Sequence, residues 1–352
     1  MSGFFSSLLG GRSSTATAAA SAATPDPAIY DTAPRLTPGL NPITVTPLPT
    51  PKEQELITLI QTTHLAKLLQ DLPAEPQDNH PRFAASVWLT AQRILLYLRA
   101  SKNDLAKTLV RLRSSLEWHC VFRPHAITPE SMGVEGGSGK QYVNGYDRGG
   151  RPIIYMFPHR QNTRDSSEQL RWVVFNMEQA IRSMPEGATK WTIVIDVSRY
   201  SMSQSVPLSV AREFLNILES HYPERLHKAL VLNPPGMFVM FYHIVAPFID
   251  PVTKEKVSFV DLTGKKKVEE GDKAGPWVDI REHVAEDQLQ SDAGGAWEFR
   301  FDKLVYWQEL QKSYDAWIAT YVAAAAAVAP PPLIEAVAEE AAVPVAVEPA
   351  SS

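Results

Sequence analysis

The stretch HYPERLHKALVLNPPGMFVMFYHIVAPFIDPVTKEKVSFVDL, residues 221–262, decides how the chain folds. Ala229–Leu232 is a short, unbroken apolar run, and Val257–Val260 is apolar but for Ser258; both are of the kind that lie in a sheet covered on both faces. Between them, Met237 to Ile249 is apolar on nearly every side, so a helix over Met237–Phe248 is either fully buried or meets an apolar surface. It is too short to cross a bilayer, which takes about 20 residues. Pro234-Pro235-Gly236 opens it and Pro247 lies near its far end; such residues punctuate helices and allow the element to move as a unit. An ordinary core helix and a mobile lid both fit these residues.

The same alternation continues upstream. The run GKQYVNGYDRGGRPIIYM, residues 139–156, is two β-rich segments around Asp147-Arg148-Gly149-Gly150, a hairpin signal. Helical periodicity over Glu168–Met184 leads to the apolar run Trp191–Ile195 and then a helix over Pro207–His221. Strands separated by helices imply crossover connections, hence a mostly parallel sheet covered by helices and an α/β fold. Further upstream the pattern is all helical. Val87, Ala91, Ile94, Leu95 and Leu98 predict one helix over Ala84–Arg99. After a break at Ser101-Lys102-Asn103, Leu105, Leu109, Leu112 and Leu116 predict a second, with Asn103 or Asp104 as N-cap.

Residues 1–51, rich in Ser, Thr, Ala and Pro, and the Ala/Val/Pro/Glu tail 323–352 have hardly an apolar period and read as disordered flanks. The apolar patch Phe4, Phe5, Leu8 and Leu9 lacks the preceding basic residue of a signal peptide, and residue 2 is Ser where myristoylation needs Gly. No apolar stretch is long enough to span a bilayer, so membrane contact is expected to be peripheral. With Lys+Arg 34 against Asp+Glu 39 and a net charge of -5, nucleic acid is an unlikely partner. Cys120 is the single cysteine, which excludes an internal disulfide and suits a reducing cytosol.

Motifs for catalysis fail on inspection. GVEGGSGKQ, Gly133–Gln141, resembles a phosphate-binding loop, but Gln141 stands where a Ser or Thr would hold magnesium, and a strand follows where a helix should begin. No histidine pairs with another ligand at metal spacing, so neither metal nor cofactor is implied, and His221 and His243 read as core or rim residues. No serine occupies a nucleophile elbow, and Asp196, at a strand end, has no base or nucleophile near it in sequence. Lys265-Lys266-Lys267, followed by Glu269-Glu270, reads as a solvated loop. The chain is not expected to be an enzyme.

Several spaced motifs together are recognisable. LLYLRASKNDLAKTLVRLRSSLEWH (95–119), GYDRGGRPIIYM (145–156), YPERLHKALVLNPP (222–235), the apolar helix and PFIDPVTKEKV (247–257) occur in the order found in the CRAL-TRIO lipid-binding family, and the chain most closely resembles the yeast-type phosphatidylinositol transfer proteins. The resemblance covers roughly residues 84–305. It implies a helical N-terminal lobe (52–130), a lipid-binding α/β domain (131–305) whose sheet floors a hydrophobic pocket, and a C-terminal helix (306–322). A gate helix corresponding to Pro235–Phe248, with Met237, Phe238, Phe241, Ile244, Val245 and Phe248, would close the pocket. The physics of a cargo lipid demands such closure: removing two acyl chains of about 16 carbons from a bilayer costs on the order of 25 kcal/mol unless a dry cavity replaces the membrane.

The resemblance also implies a headgroup site. Phosphatidylinositol-binding members use a lysine of the helical lobe, the Glu of the YPER motif and the Asp, Thr and Lys of D-P-x-T-x-x-K; here these are Lys102, Glu224, Asp250, Thr253 and Lys256. Lysines would neutralise the phosphate while Glu, Asp and Thr meet the inositol hydroxyls. A capped turn at Asp250 and Thr253, and an ion pair from Glu224 to Lys256, would explain the same residues without a ligand.

Two departures bear on specificity. The family often has Arg-Lys where this chain has Ser101-Lys102, which removes one phosphate donor. Members that also bind phosphatidylcholine place Ser and Thr where this chain has Trp191 and Ile193, so an apolar wall is expected there and phosphatidylcholine is disfavoured as second ligand. LQSDAGGAWEFRFDKLVYWQEL (289–310) resembles a fungal branch associated with azole tolerance and lipid droplets, some members of which bind sterol. The resemblance thus implies a cytoplasmic protein visiting membranes, of the endoplasmic reticulum or lipid droplets, that transfers phosphatidylinositol. The alternative is a sterol-binding or lipid-sensing regulator that presents phosphatidylinositol to a kinase.

Overall fold

The computed structural model describes residues 30–39, 42–201, 207–264 and 276–328. Two apolar clusters organise it. The first belongs to the helices α1 (Pro51–Leu59), α2 (Leu65–Leu69), α3 (Ala85–Trp88), α4 (Ala91–Ala100) and α5 (Leu105–Phe122), which bury Ile57, Leu68, Trp88, Ile94, Leu98, Leu112 and Leu116 against one another. The helix expected over Ala84–Arg99 is two helices. The chain breaks at Leu89, and Thr90 starts α4 as its N-cap by accepting a hydrogen bond from the Arg93 amide. Asp104 caps α5 in the same way through the Lys107 amide.

The second cluster surrounds a sheet of five strands in the order β1 (Gln141–Tyr146), β2 (Pro152–Met156), β3 (Trp191–Asp196), β4 (Leu226–Leu232) and β5 (Val257–Val260). Only β1–β2 is antiparallel; the other pairs are parallel. The hairpin turn is fixed by the buried Asp147 carboxylate, which accepts from the Gly149 and Arg151 amides, and by Gly150 at φ +70°, a conformation that side chains disfavour. Each parallel step needs a crossover: α6 (Ser166–Arg182) carries the chain from β2 to β3 and α7 (Leu208–His221) from β3 to β4. α8 (Gly236–Val245), a 3₁₀ turn over Ala246–Phe248 and α9 (Pro251–Glu255) lie between β4 and β5.

Residues 30–39 and 42–50 are a correction to the disordered flank expected over 1–51. The Asp31 carboxylate accepts from the Trp297 indole at 2.9 Å, the Arg35 guanidinium lies 3.8 Å from the Trp297 ring centre, and the Gly145 amide donates to the Arg35 carbonyl. The Thr44 and Thr46 amides donate to the Gly149 and Gly187 carbonyls. This strap covers the edge of the sheet at β1 and works through backbone hydrogen bonds, which need no apolar period. The long C-terminal helix α10 runs Lys303–Val328, past the 322 expected, because the alanine run that follows is the best helix-forming composition. No helix among the described residues is long and apolar enough to cross a membrane. The Lys265–Lys267 run lies outside the described residues.

Candidate functional site

A cavity of about 320 Å³ lies between the sheet and helices α6, α7 and α8. Its floor is set by strand alternation. Ile193 and Ile195 of β3 face it beside their register partners Ala229 and Val231 of β4, with Met156 and Val257 at the sides. Leu170 and Val173 of α6 and Phe214 and Leu218 of α7 form walls; Phe238, Phe241, Tyr242 and Val245 of α8 form the roof. Apart from Tyr242 of α8 and Thr253 of α9, the polar side chains of the lining gather near β1, where buried Lys140 pairs with Glu135 and reaches Thr163 at 3.2 Å. The glycine-rich loop Gly133–Gln141 thus positions an internal ion pair.

The opposite face of α8 is apolar as well. Met237, Met240, Ile244 and Phe248 are exposed, Met240 at 58%, as is the nearby Val252. Of the six residues expected in a gate helix, Phe238, Phe241 and Val245 face the cavity, Met237 and Ile244 face solvent, and Phe248, partly exposed, lines the neighbouring cleft. The Phe248 ring is covered by the Arg212 guanidinium of α7 at 3.9 Å, and Phe238 meets Tyr200 edge to face. A helix with one apolar face on a cavity and an exposed face that is apolar but for His243 is an element whose usual surroundings are incomplete.

Beside the cavity opens a cleft of about 190 Å³. Lys102, Glu224, Asp250, Thr253 and Lys256, brought from three distant segments of the sequence, all line it. Cleft and cavity share the walls Leu215, Leu218, Leu226, Ile249 and Thr253, so a polar site adjoins an apolar one. Lys102 stands at the α4–α5 turn with φ +53° and Glu224 at the turn before β4 with φ +58°. Each is a left-handed conformation that costs a non-glycine residue on the order of 1–3 kcal/mol and that recurs at ligand-binding turns.

Ion pairing within the cleft is uneven. Glu224 pairs with Lys190 at 3.5 Å, not with Lys256, so the ion pair considered from the sequence is corrected. Lys256 is half-buried with no carboxylate within 4 Å among the described residues; burial lowers its pKa, with Glu224 opposing. Asp250 caps α9 by accepting from the Thr253 amide at 2.9 Å, and its second oxygen and the Thr253 hydroxyl have no further hydrogen bond among the described residues. Arg99 also lines the cleft, but its guanidinium is held by the buried Glu53 carboxylate at 2.9 and 3.2 Å, a contact that lowers the Glu53 pKa to about 2.

The pair Trp191 and Ile193, expected to wall the cavity together, divides. Ile193 lines it; Trp191, fully buried, lies one pleat away against Tyr222 and is not part of the lining. Sequence reasoning missed Lys190 and Arg111: Lys190 lies outside the recognised motifs and reaches the cleft through Glu224, and Arg111 lies within the segment 95–119 beside the leucine stripe of α5, where nothing singles it out. His221 is a junction residue: its Nδ1 lies 2.9 Å from Ser115 Oγ, its ring stacks on Trp118, and burial lowers its pKa to about 4.

Residues 137–295 match the CRAL/TRIO domain model. A CRAL-TRIO domain-containing protein of Schizosaccharomyces pombe is 36% identical over 224 residues, covering 64% of this chain and 20% of that protein. The phosphatidylinositol transfer protein PDR17 of Saccharomyces cerevisiae is 31% identical over 240 residues, 65% of this chain and 64% of that protein. The phosphatidylinositol transfer protein CSR1 of Eremothecium gossypii is 26% identical, 60% of this chain and 48% of that protein. The chain therefore spans less than two thirds of each of these relatives. The crystal structure of Sfh5 superposes with a TM-score of 0.50 at 12% identity, over 79% of this chain and 99% of that one, which supports the fold alone.

Proposed function

Because residues 137–295 constitute a CRAL/TRIO domain, we propose that this chain binds a single phospholipid, phosphatidylinositol, and transfers it or presents it at membranes. The acyl chains occupy the cavity beneath α8, and the inositol phosphate occupies the cleft. The observation that carries this reading is the shared wall. An apolar chamber that shares the walls Leu218, Leu226 and Ile249 with a cleft lined by two lysines without ion pairs among the described residues has the polarity of an amphiphile with an anionic headgroup. Two relatives bearing the name phosphatidylinositol transfer protein support the choice of lipid.

Loading requires the roof to move. The exposed Met237, Met240, Ile244 and Phe248 meet the bilayer; α8 then swings on Pro235 and Gly236, whose Cα faces open space. In water α8 closes and keeps the chains dry. The apolar wall at Ile193 favours a second cargo of low polarity, a sterol, over phosphatidylcholine, whose phosphate would find no donor there. The function is binding, not catalysis, and contact with membranes is transient and peripheral.

Native mass spectrometry of the protein purified from eukaryotic cells, with identification of the released lipid, tests this reading. One phosphatidylinositol per chain is the expected result. A chain that carries no lipid refutes it.

A further inference from the structure

The cleft holds a cation that the headgroup residues read from the sequence do not include and that no carboxylate neutralises among the described residues. Arg111 of α5 lines it. Its Nη1 donates to the Ala100 carbonyl at 3.3 Å and its Nη2 to the Glu219 carbonyl at 2.8 Å. Both acceptors are main-chain oxygens in the last turns of helices, α4 and α7. They orient the guanidinium without neutralising it, and no carboxylate lies within 4 Å of it among the described residues. A guanidinium has five N–H donors, so three remain.

The other cations differ. Arg99 is neutralised by Glu53, and Lys190 is engaged by Glu224. Ser101, which stands where a second phosphate donor would be expected from the sequence, is buried at 7% exposure and does not line the cleft. The missing donor is thus not restored at its own position.

We propose that Arg111 is the phosphate-fixing residue of the cleft, a planar fork that grips two phosphate oxygens while Lys102 and Lys256 act as point charges. The proposal rests on the reading of the cleft as a headgroup site and names the residue that gives it geometric selectivity. Lysine cannot substitute for this role, since an ammonium presents no fork. A free phosphate ester offers the same oxygens as a lipid headgroup, so the test separates the two.

Vesicle-to-protein loading is measured for wild type, Arg111→Gln and Arg111→Lys with labelled phosphatidylinositol and with diacylglycerol, which has the chains but no phosphate; binding of glycerophosphoinositol is measured by calorimetry. The expected result is a loss of phosphatidylinositol loading of roughly thirtyfold in Arg111→Gln and roughly tenfold in Arg111→Lys. Diacylglycerol loading stays within twofold of wild type in both variants. Glycerophosphoinositol, lacking chains, binds the wild type more weakly than the lipid and binds Arg111→Gln more weakly still.

If wild type loads phosphatidylinositol and either folded variant matches it, the assignment is overturned and the headgroup reading stands. Equal losses for phosphatidylinositol and diacylglycerol also overturn it, because they show Arg111 only tying α4 to α7. Should Arg111→Gln fail to fold, Arg111→Lys, which keeps a donor for the helix-end carbonyls, decides alone. A wild type that takes up no phosphatidylinositol overturns the headgroup reading, and this assignment with it.

Discussion

Replacing Lys102 and Lys256 together by alanine tests the cleft most directly. Lys256 is half-buried and free of any carboxylate within 4 Å among the described residues, so its hydrogen bond to a phosphate oxygen would be charge-assisted and poorly screened, on the order of 2 kcal/mol. Lys102 is exposed at its turn, where water and salt weaken a similar contact to about 1 kcal/mol. Their sum, about 3 kcal/mol, is roughly a 150-fold loss of affinity for phosphatidylinositol. The fold should barely register the change. Burial already disfavours the charged form of Lys256, and removing that charge offsets the lost contacts of its stem, so stability moves by no more than about 1 kcal/mol, a few degrees in Tm for a chain of this size. The assay is loading from vesicles containing labelled phosphatidylinositol, at low and at 0.5 M salt. The smaller share contributed by Lys102 should disappear at high salt, and that of Lys256 should persist. Loading by the double variant within threefold of wild type would refute the headgroup assignment. A collapse of the melting transition would show the lysines holding the fold instead.

Other outcomes follow from the same geometry. Replacing residues 30–50 by a Gly/Ser linker should lower Tm by several degrees, since it uncovers the β1 edge and removes the Asp31 and Arg35 contacts with Trp297; an unchanged Tm on calorimetry would show the strap to be idle. Ile193→Thr should raise phosphatidylcholine loading relative to phosphatidylinositol by putting a hydroxyl on the cavity floor, and equal ratios in variant and wild type would refute that. Trp191→Ser, by contrast, should act on stability, costing about 3–5 kcal/mol through the void it leaves, with no gain in phosphatidylcholine; a gain would place Trp191 at the ligand. Acid should destabilise the fold through His221. Its folded pKa of about 4 lies below the unfolded value near 6.5, so the unfolded chain takes up the proton first, and stability falls as pH drops from 6.5 towards 4. Denaturant titrations at pH 7 and 4.5 should show a smaller drop in His221→Gln than in wild type.

Much of the architecture was legible in the order of residues because the rules that make it are local. A short apolar run such as Ala229–Leu232 bounded by turn residues reads as a buried strand, the leucine stripe of Leu105, Leu109, Leu112 and Leu116 reads as a helix face, and Asp147 with Gly150 fixes a turn within its own neighbourhood. The spaced motifs named candidate residues, and the family match over residues 137–295 followed from them. Other features depend on which surfaces the fold apposes. Residues 30–39 and 42–50 carry no pattern because they bond by backbone to β1, to the β1–β2 turn and to the loop before β3, which come together only once the sheet has formed. Glu224, at the turn before β4, pairs with Lys190 just before β3, a neighbour that only the pairing of β3 with β4 supplies. Trp191 and Ile193 share a strand face, yet only Ile193 lies under the cavity, because the register that pairs Ile193 with Ala229 carries Trp191 to the strand end, against Tyr222. Arg111 reaches the cleft only because α5 packs across the ends of α4 and α7, whose terminal carbonyls hold its guanidinium. Side-chain period and turn chemistry are encoded along the chain, whereas a site whose members approach from separate elements is decided by how those elements pack.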